Sequence, residues 1–164
     1  MSTIRKPSLS ALRGAVLAFA ASLGLLAASG GQASADRLNV VTTTSDLASI
    51  ARSVAGGLAE VNSICTGRED AHFLQARPSY ILMARDADLW IRAGLELEVG
   101  WERPVLDGSR NPRIQIGAKG HLDAGRNVIR REIPEGRLTR ALGDVHAEGN
   151  PHYLTDPLNA RIVA

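Results

Sequence analysis

Leu38-Asn39-Val40-Val41-Thr42-Thr43-Thr44 runs directly into Ser45-Asp46-Leu47-Ala48-Ser49-Ile50-Ala51-Arg52-Ser53-Val54-Ala55, and Gly56-Gly57 follows. The first part is rich in β-branched residues and reads as a strand. In the second part Leu47, Ile50, Ala51 and Val54 fall on one face of a helix, with Ser45 or Asp46 available as a cap. Glycine at 56 suits the left-handed turn that ends such a helix. A strand joined directly to a helix is half of a βα unit, and the pattern recurs. Val61–Thr66 is a second strand, 67–77 a polar loop, and Pro78-Ser79 opens a helix to about Arg85. Asp88–Gly94 is a third strand. Leu95–Leu106 is expected as a weaker helix with Trp101 on its buried side and Pro104 near its end. Arg113–Gly117 is expected as the fourth strand. The Gly-punctuated segment 118–150 is irregular around one apolar run, Val128–Ile133, and Asp156-Pro157 begins a last helix. Repeated βα units predict an α/β fold, a parallel sheet with helices on both faces. Ligands in such sheets sit beyond the carboxyl ends of the strands, where loop 67–77 lies.

Charge narrows the function. Lys and Arg number 19 against 17 Asp and Glu, over 164 residues. Arg5, Lys6 and Arg13 are the only charges in 1–35, and without them 16 basic face 17 acidic residues. The basic excess belongs to the leader, so a nucleic-acid partner is not expected. That leader has the form of an export signal: a positive start, an uncharged run Ala15–Ala28, and the small residues Ala33-Ser34-Ala35 before Asp36. The run is too short and too rich in Ala for a membrane span, so no membrane insertion is expected after cleavage. No Cys lies near the cleavage point, which excludes a lipid anchor there. Cys65 is the single cysteine, expected as a small buried apolar side chain. The expected location is periplasmic, with 1–35 a signal peptide, 36–157 one lobe and 158–164 the start of a further helix.

No dinucleotide fingerprint, phosphate-binding Gly-Lys-Ser/Thr or Gly-x-Ser-x-Gly elbow occurs. Four histidines carry the remaining chemistry, because imidazole is a good ligand for zinc and similar divalent ions and two or more must converge to hold one. His72 lies in the loop after the second strand, within Asp70-Ala71-His72-Phe73. His152 lies in Asn150-Pro151-His152-Tyr153-Leu154-Thr155-Asp156-Pro157, just before the last helix. His146 is a further candidate, either a partner of His152 or a surface residue. His121 has no neighbouring pattern.

His72, then five residues, then Pro78-Ser79 resembles the first metal-ligand loop of the zinc/manganese-type solute-binding proteins of ABC importers. Pro151-His152 with Asp156-Pro157 resembles the second ligand loop of that family, and Leu38–Thr44 and Ala87-Asp88-Leu89 are also similar to it. The resemblance implies one lobe of a two-lobed binding protein that takes Zn2+, or alternatively Mn2+, on His72 and His152 and delivers it to an ABC-type membrane permease. Two departures stand out, Ala71 where the family has Pro and Leu154 where it has an aromatic. Both remove rigidity around a ligand loop rather than a donor atom. The family's remaining ligands come from a second lobe that has no counterpart here, and the chain stops as the interdomain helix begins. Two imidazoles leave about half of a zinc shell to water. Two alternatives stay open. One is a truncated, non-functional fragment of such a protein. The other is a small secreted metal-dependent hydrolase using His72, Asp70 and Glu69.

Overall fold

The structure is a computed structural model that describes residues 37–135 and 145–164, so the leader lies outside the described residues. Among these residues four parallel strands form one sheet in the order β2-β1-β3-β4: β1 Leu38–Thr42, β2 Ala59–Ser63, β3 Leu89–Arg92 and β4 His121–Asp123. Among the described residues four α-helices accompany it: α1 Ser45–Ala55, α2 Pro78–Arg85, α3 Glu102–Ser109 and α4 Pro157–Val163. Alternation along the strands feeds two cores. Val40, Val61 and Ile91 pack with Leu47 and Ala48 of α1. Val41 and Trp90 pack on the other face with Tyr80 and Ala84 of α2 and Val105 and Leu106 of α3. The parallel α/β sheet covered on both faces is the expected architecture.

Three local expectations are corrected. The fourth strand is not Arg113–Gly117. Pro112–Ile114 is a short 3-10 turn, because Pro112 has a fixed φ and no N–H to give a ladder. Asn111 organises it, its Oδ1 accepting from Arg113 N at 3.1 Å while its amide donates to the carbonyls of Ala84 and Ala87. Ile114 is thereby fully buried, and β4 forms later, at His121–Asp123. The helix expected over Leu95–Leu106 starts only at Glu102, which puts Pro104 in its first turn, where the missing N–H costs nothing. Trp101 is fully buried, as expected. Finally, neither Ser45 nor Asp46 caps α1, whose N-cap is Thr44, without a side-chain bond.

The residues before α3 explain the shift. Gly94, Leu95 and Glu96 have φ of 78°, 50° and 68°, a left-handed run that no helix can contain. A Cβ on Gly94 would run into the carboxylate of Asp123, so only glycine fits. The turn drops Glu98 into the sheet end with no exposed surface. Its Oε1 accepts from Thr43 Oγ1 at 2.6 Å and Ala93 N at 2.7 Å, and its Oε2 accepts from Gly94 N at 3.1 Å. Burial is the main cause that pushes the Glu98 carboxyl above its ordinary range, opposed by the Thr43 bond and reinforced by nearby Glu102.

Glu98→Ala strips the acceptor from three buried donors and should cost about 3–5 kcal/mol in urea unfolding. The raised carboxyl has a signed consequence. Above the pH where an unfolded Glu ionises, the folded state holds the proton more tightly, so this group's contribution falls as pH rises toward its folded value. The stability gap between the parent chain and Glu98→Gln should therefore shift in favour of the variant as pH is raised from about 4.5. Unfolding midpoints at stepped pH check this.

Candidate metal site

A cleft of about 840 Å³ opens at the carboxyl ends of the strands, lined by residues that follow β1 (Thr44, Ser45), the loop after β2 (Glu69 to His72), Leu97, and the segments 132–134 and 145–152. Strand order reverses beside β1, and such a switch point is where open parallel sheets bind ligands.

His72 is positioned by its own loop. Asp70 caps the 3-10 turn Ala71–Phe73, its Oδ1 accepting from His72 N at 2.9 Å and meeting His72 Nδ1 at 2.8 Å. The backbone bond first and the ring second hold the Asp70 carboxyl below its ordinary value, so it is ionised. An ionised carboxylate can only accept, so in the neutral ring the proton sits on Nδ1 and the lone pair on Nε2. That is the tautomer a metal requires. Ala71 stands where the resembled family has Pro, and here its carbonyl accepts from the buried Trp101 Nε1 at 2.8 Å. A core residue thus supplies restraint to the loop.

Two further rings meet His72. His146 Nε2 lies 3.1 Å from His72 Nε2, and the His152 ring centroid lies 5.3 Å from that of His72. His152 is held through its neighbours. Asn150 Oδ1 accepts from His152 N at 2.8 Å, and Tyr153 Oη donates to Ala93 O at 2.8 Å. Burial pushes the Tyr153 hydroxyl's pKa upward, which keeps it a donor. The three rings belong to one cleft, although among the described residues no three or more His, Cys, Asp or Glu side chains already form a metal-binding group. His121 lies elsewhere, on β4, with Nε2 3.3 Å from Glu102 Oε1.

The parts that Asp70, Asn150, Tyr153 and Glu96 play in holding the histidine segments emerge in the folded chain. The Asx signature of Asp70 and Asn150, each two residues before a histidine, was a legible signal for two of them. Glu69 is engaged by Thr66, its Oε2 accepting from N at 3.0 Å and Oγ1 at 2.9 Å, and those bonds hold its carboxyl below the usual range. Cys65 is buried, as expected, with Sγ 3.1 Å from Glu69 O.

A parallel α/β sheet thus gathers three imidazoles in one cleft at its strand ends. Residues 40–164 match the family model "Zinc-uptake complex component A periplasmic" (ZnuA), and the chain belongs to that family. It is 40% identical over 150 residues to the manganese ABC transporter substrate-binding lipoprotein PsaA of Streptococcus pneumoniae, covering 83% of this chain and 48% of that protein. It is 39% identical over 149 residues to the metal ABC transporter substrate-binding lipoprotein FimA of Streptococcus parasanguinis, with the same coverage. The chain therefore spans about half the length of the curated relatives it matches. Its fold is similar to a crystal structure of ZnuA (TM-score 0.59, 15% identity, 78% of this chain and 45% of the other). It is also similar to a Mn-bound periplasmic metal binding protein from candidatus liberibacter asiaticus (TM-score 0.57, 22% identity, 77% and 42%).

Asp70→Ala removes the acceptor that orients His72, and should weaken Zn2+ binding about 10- to 100-fold by calorimetric titration, with the helical circular-dichroism signal retained.

Proposed function

We propose that this chain is the divalent-metal-binding component of an ABC importer, exported behind the leader 1–35, with residues 36–157 as its metal-binding lobe. It captures Zn2+, with Mn2+ the alternative, on His72 and His152, and delivers the ion to a membrane permease. It carries out no catalysis. The observation that supports this reading most directly is His72, whose Nδ1 is tied to Asp70 so that Nε2 faces its neighbouring imidazoles in the cleft. Family membership supports a transport role; the family model is named for zinc, and the relatives for manganese or for metal in general. An imidazole-rich donor set favours zinc, since manganese prefers oxygen ligands. No helix among the described residues is long and apolar enough to cross a membrane.

A hydrolase has less support. Glu69 and Asp70, the residues it would need as ligand and base, are engaged by Thr66 and His72.

Capture by neutral imidazole has a definite pH sign. Protons compete for the same nitrogens, so affinity should fall as pH drops through about 6.5. Calorimetric titration with Zn2+ and with Mn2+ at neutral pH and at a pH below that value tests the reading. Zinc should bind more tightly than manganese, both should weaken in acid, and His72→Ala with His152→Ala should abolish heat release. Tight binding that survives the double substitution would overturn the assignment.

A further inference from the structure

Glu96 has a backbone conformation that favours glycine, with φ of 68°. Its side chain has a long-range task. Glu96 Oε2 accepts from Ala147 N at 2.7 Å, across 51 residues of chain. Ala147 follows His146, the residue whose Nε2 is 3.1 Å from His72 Nε2. The far side of the same segment is fixed as well, Asn150 N donating to Arg131 O at 2.9 Å and Gly149 N to His146 O at 3.2 Å. Two imidazole nitrogens this close cannot face each other with bare lone pairs, so a proton or a cation must lie between them. With His72 neutral, Asp70 keeps its proton on Nδ1, which leaves the shared position to a His146 proton or to a metal. Two nitrogens bound at about 2.0–2.1 Å to tetrahedral zinc stand about 3.3 Å apart, close to the separation here.

We propose that Glu96 is a positioning residue that fastens the backbone beside His146, so that His146 presents Nε2 next to His72 as an additional donor to the captured cation. This rests on the metal-capture reading. On binding, the cation occupies the position between the rings and the proton it displaces leaves to water. A third imidazole compensates in part for the half-filled shell that His72 and His152 would leave.

Zinc and cobalt titrations of the full chain and its variants test the assignment. Glu96→Gly removes the carboxylate at a position whose φ suits glycine, so the fold is retained and any loss of binding is specific. Glu96→Gly and His146→Ala should each weaken Zn2+ binding about 10- to 100-fold. The double variant should be no weaker than the weaker single, because both act through one donor. Glu96→Gln, whose amide oxygen still accepts from Ala147 N, should restore the parent affinity. The visible absorption of bound Co2+ should shift in the same way in Glu96→Gly and His146→Ala. Parent-like binding by Glu96→Gly, or losses that add in full, would overturn the role of Glu96. If His72→Ala with His152→Ala abolishes binding while the Glu96 and His146 variants bind normally, only this inference fails. If that double substitution leaves binding intact, the metal-capture reading fails first.

Discussion

The carboxylate of Glu98 holds together the two strands on which the site is built. It is fully buried and accepts from Thr43 at the end of β1 and from Ala93 and Gly94 just beyond β3. A buried carboxylate is costly to desolvate and is tolerated only when its acceptor sites are filled. Three donors converge on it here, and Arg92 adds charge, its Nε 3.9 Å from Glu98 and its Nη1 2.9 Å from Glu102. Arg92 Nε makes no hydrogen bond, so its part in the cluster is electrostatic. The strand ends are thereby locked where the cleft needs a rigid floor.

From that floor the histidine loops are suspended by short restraints. Trp101, three residues beyond Glu98, reaches the carbonyl of Ala71 beside His72. Tyr153, next to His152, returns to Ala93, whose N–H already belongs to Glu98. Asn159, almost fully buried in α4, clamps residue 129 through both its backbone N–H and its carbonyl. Each bond ties a loop to the packed core, so His72 meets His146 and His152 from a distant stretch of sequence without a continuous element joining them. Rigid support of this kind lowers the ordering cost when a ligand arrives.

Elements whose signal is local were legible in the sequence. The βα pattern of 38–55 needed only β-branched residues, a 3.6-residue apolar period and two glycines, and it predicted β1 and α1 nearly to the residue. Asp156-Pro157 announced α4 equally well, since Asp156 Oδ1 caps Leu158 N. Loop position and family resemblance point to His72 and His152. The misplaced fourth strand and the overlong helix share another origin. Arg113–Gly117 and Leu95–Leu106 are apolar enough for regular structure, but the backbone there answers to distant groups. Asn111 bonds to the end of α2, and Glu98 bonds to the ends of β1 and β3. Neither is visible in a window of ten residues.

What the sequence determined alone was the class of fold, the membership of β1, α1 and α4, and the loops that carry the candidate imidazoles, because hydrophobic period, caps and loop position are local properties. Tertiary structure decided which histidines meet. It brought His146 to His72 through a bond from Glu96 to Ala147, and it put Gly94, Leu95 and Glu96 into a left-handed turn so that Glu98 could reach the sheet. A hydrogen bond across 51 residues carries no local signature, since its geometry exists only once the chain has closed around the core.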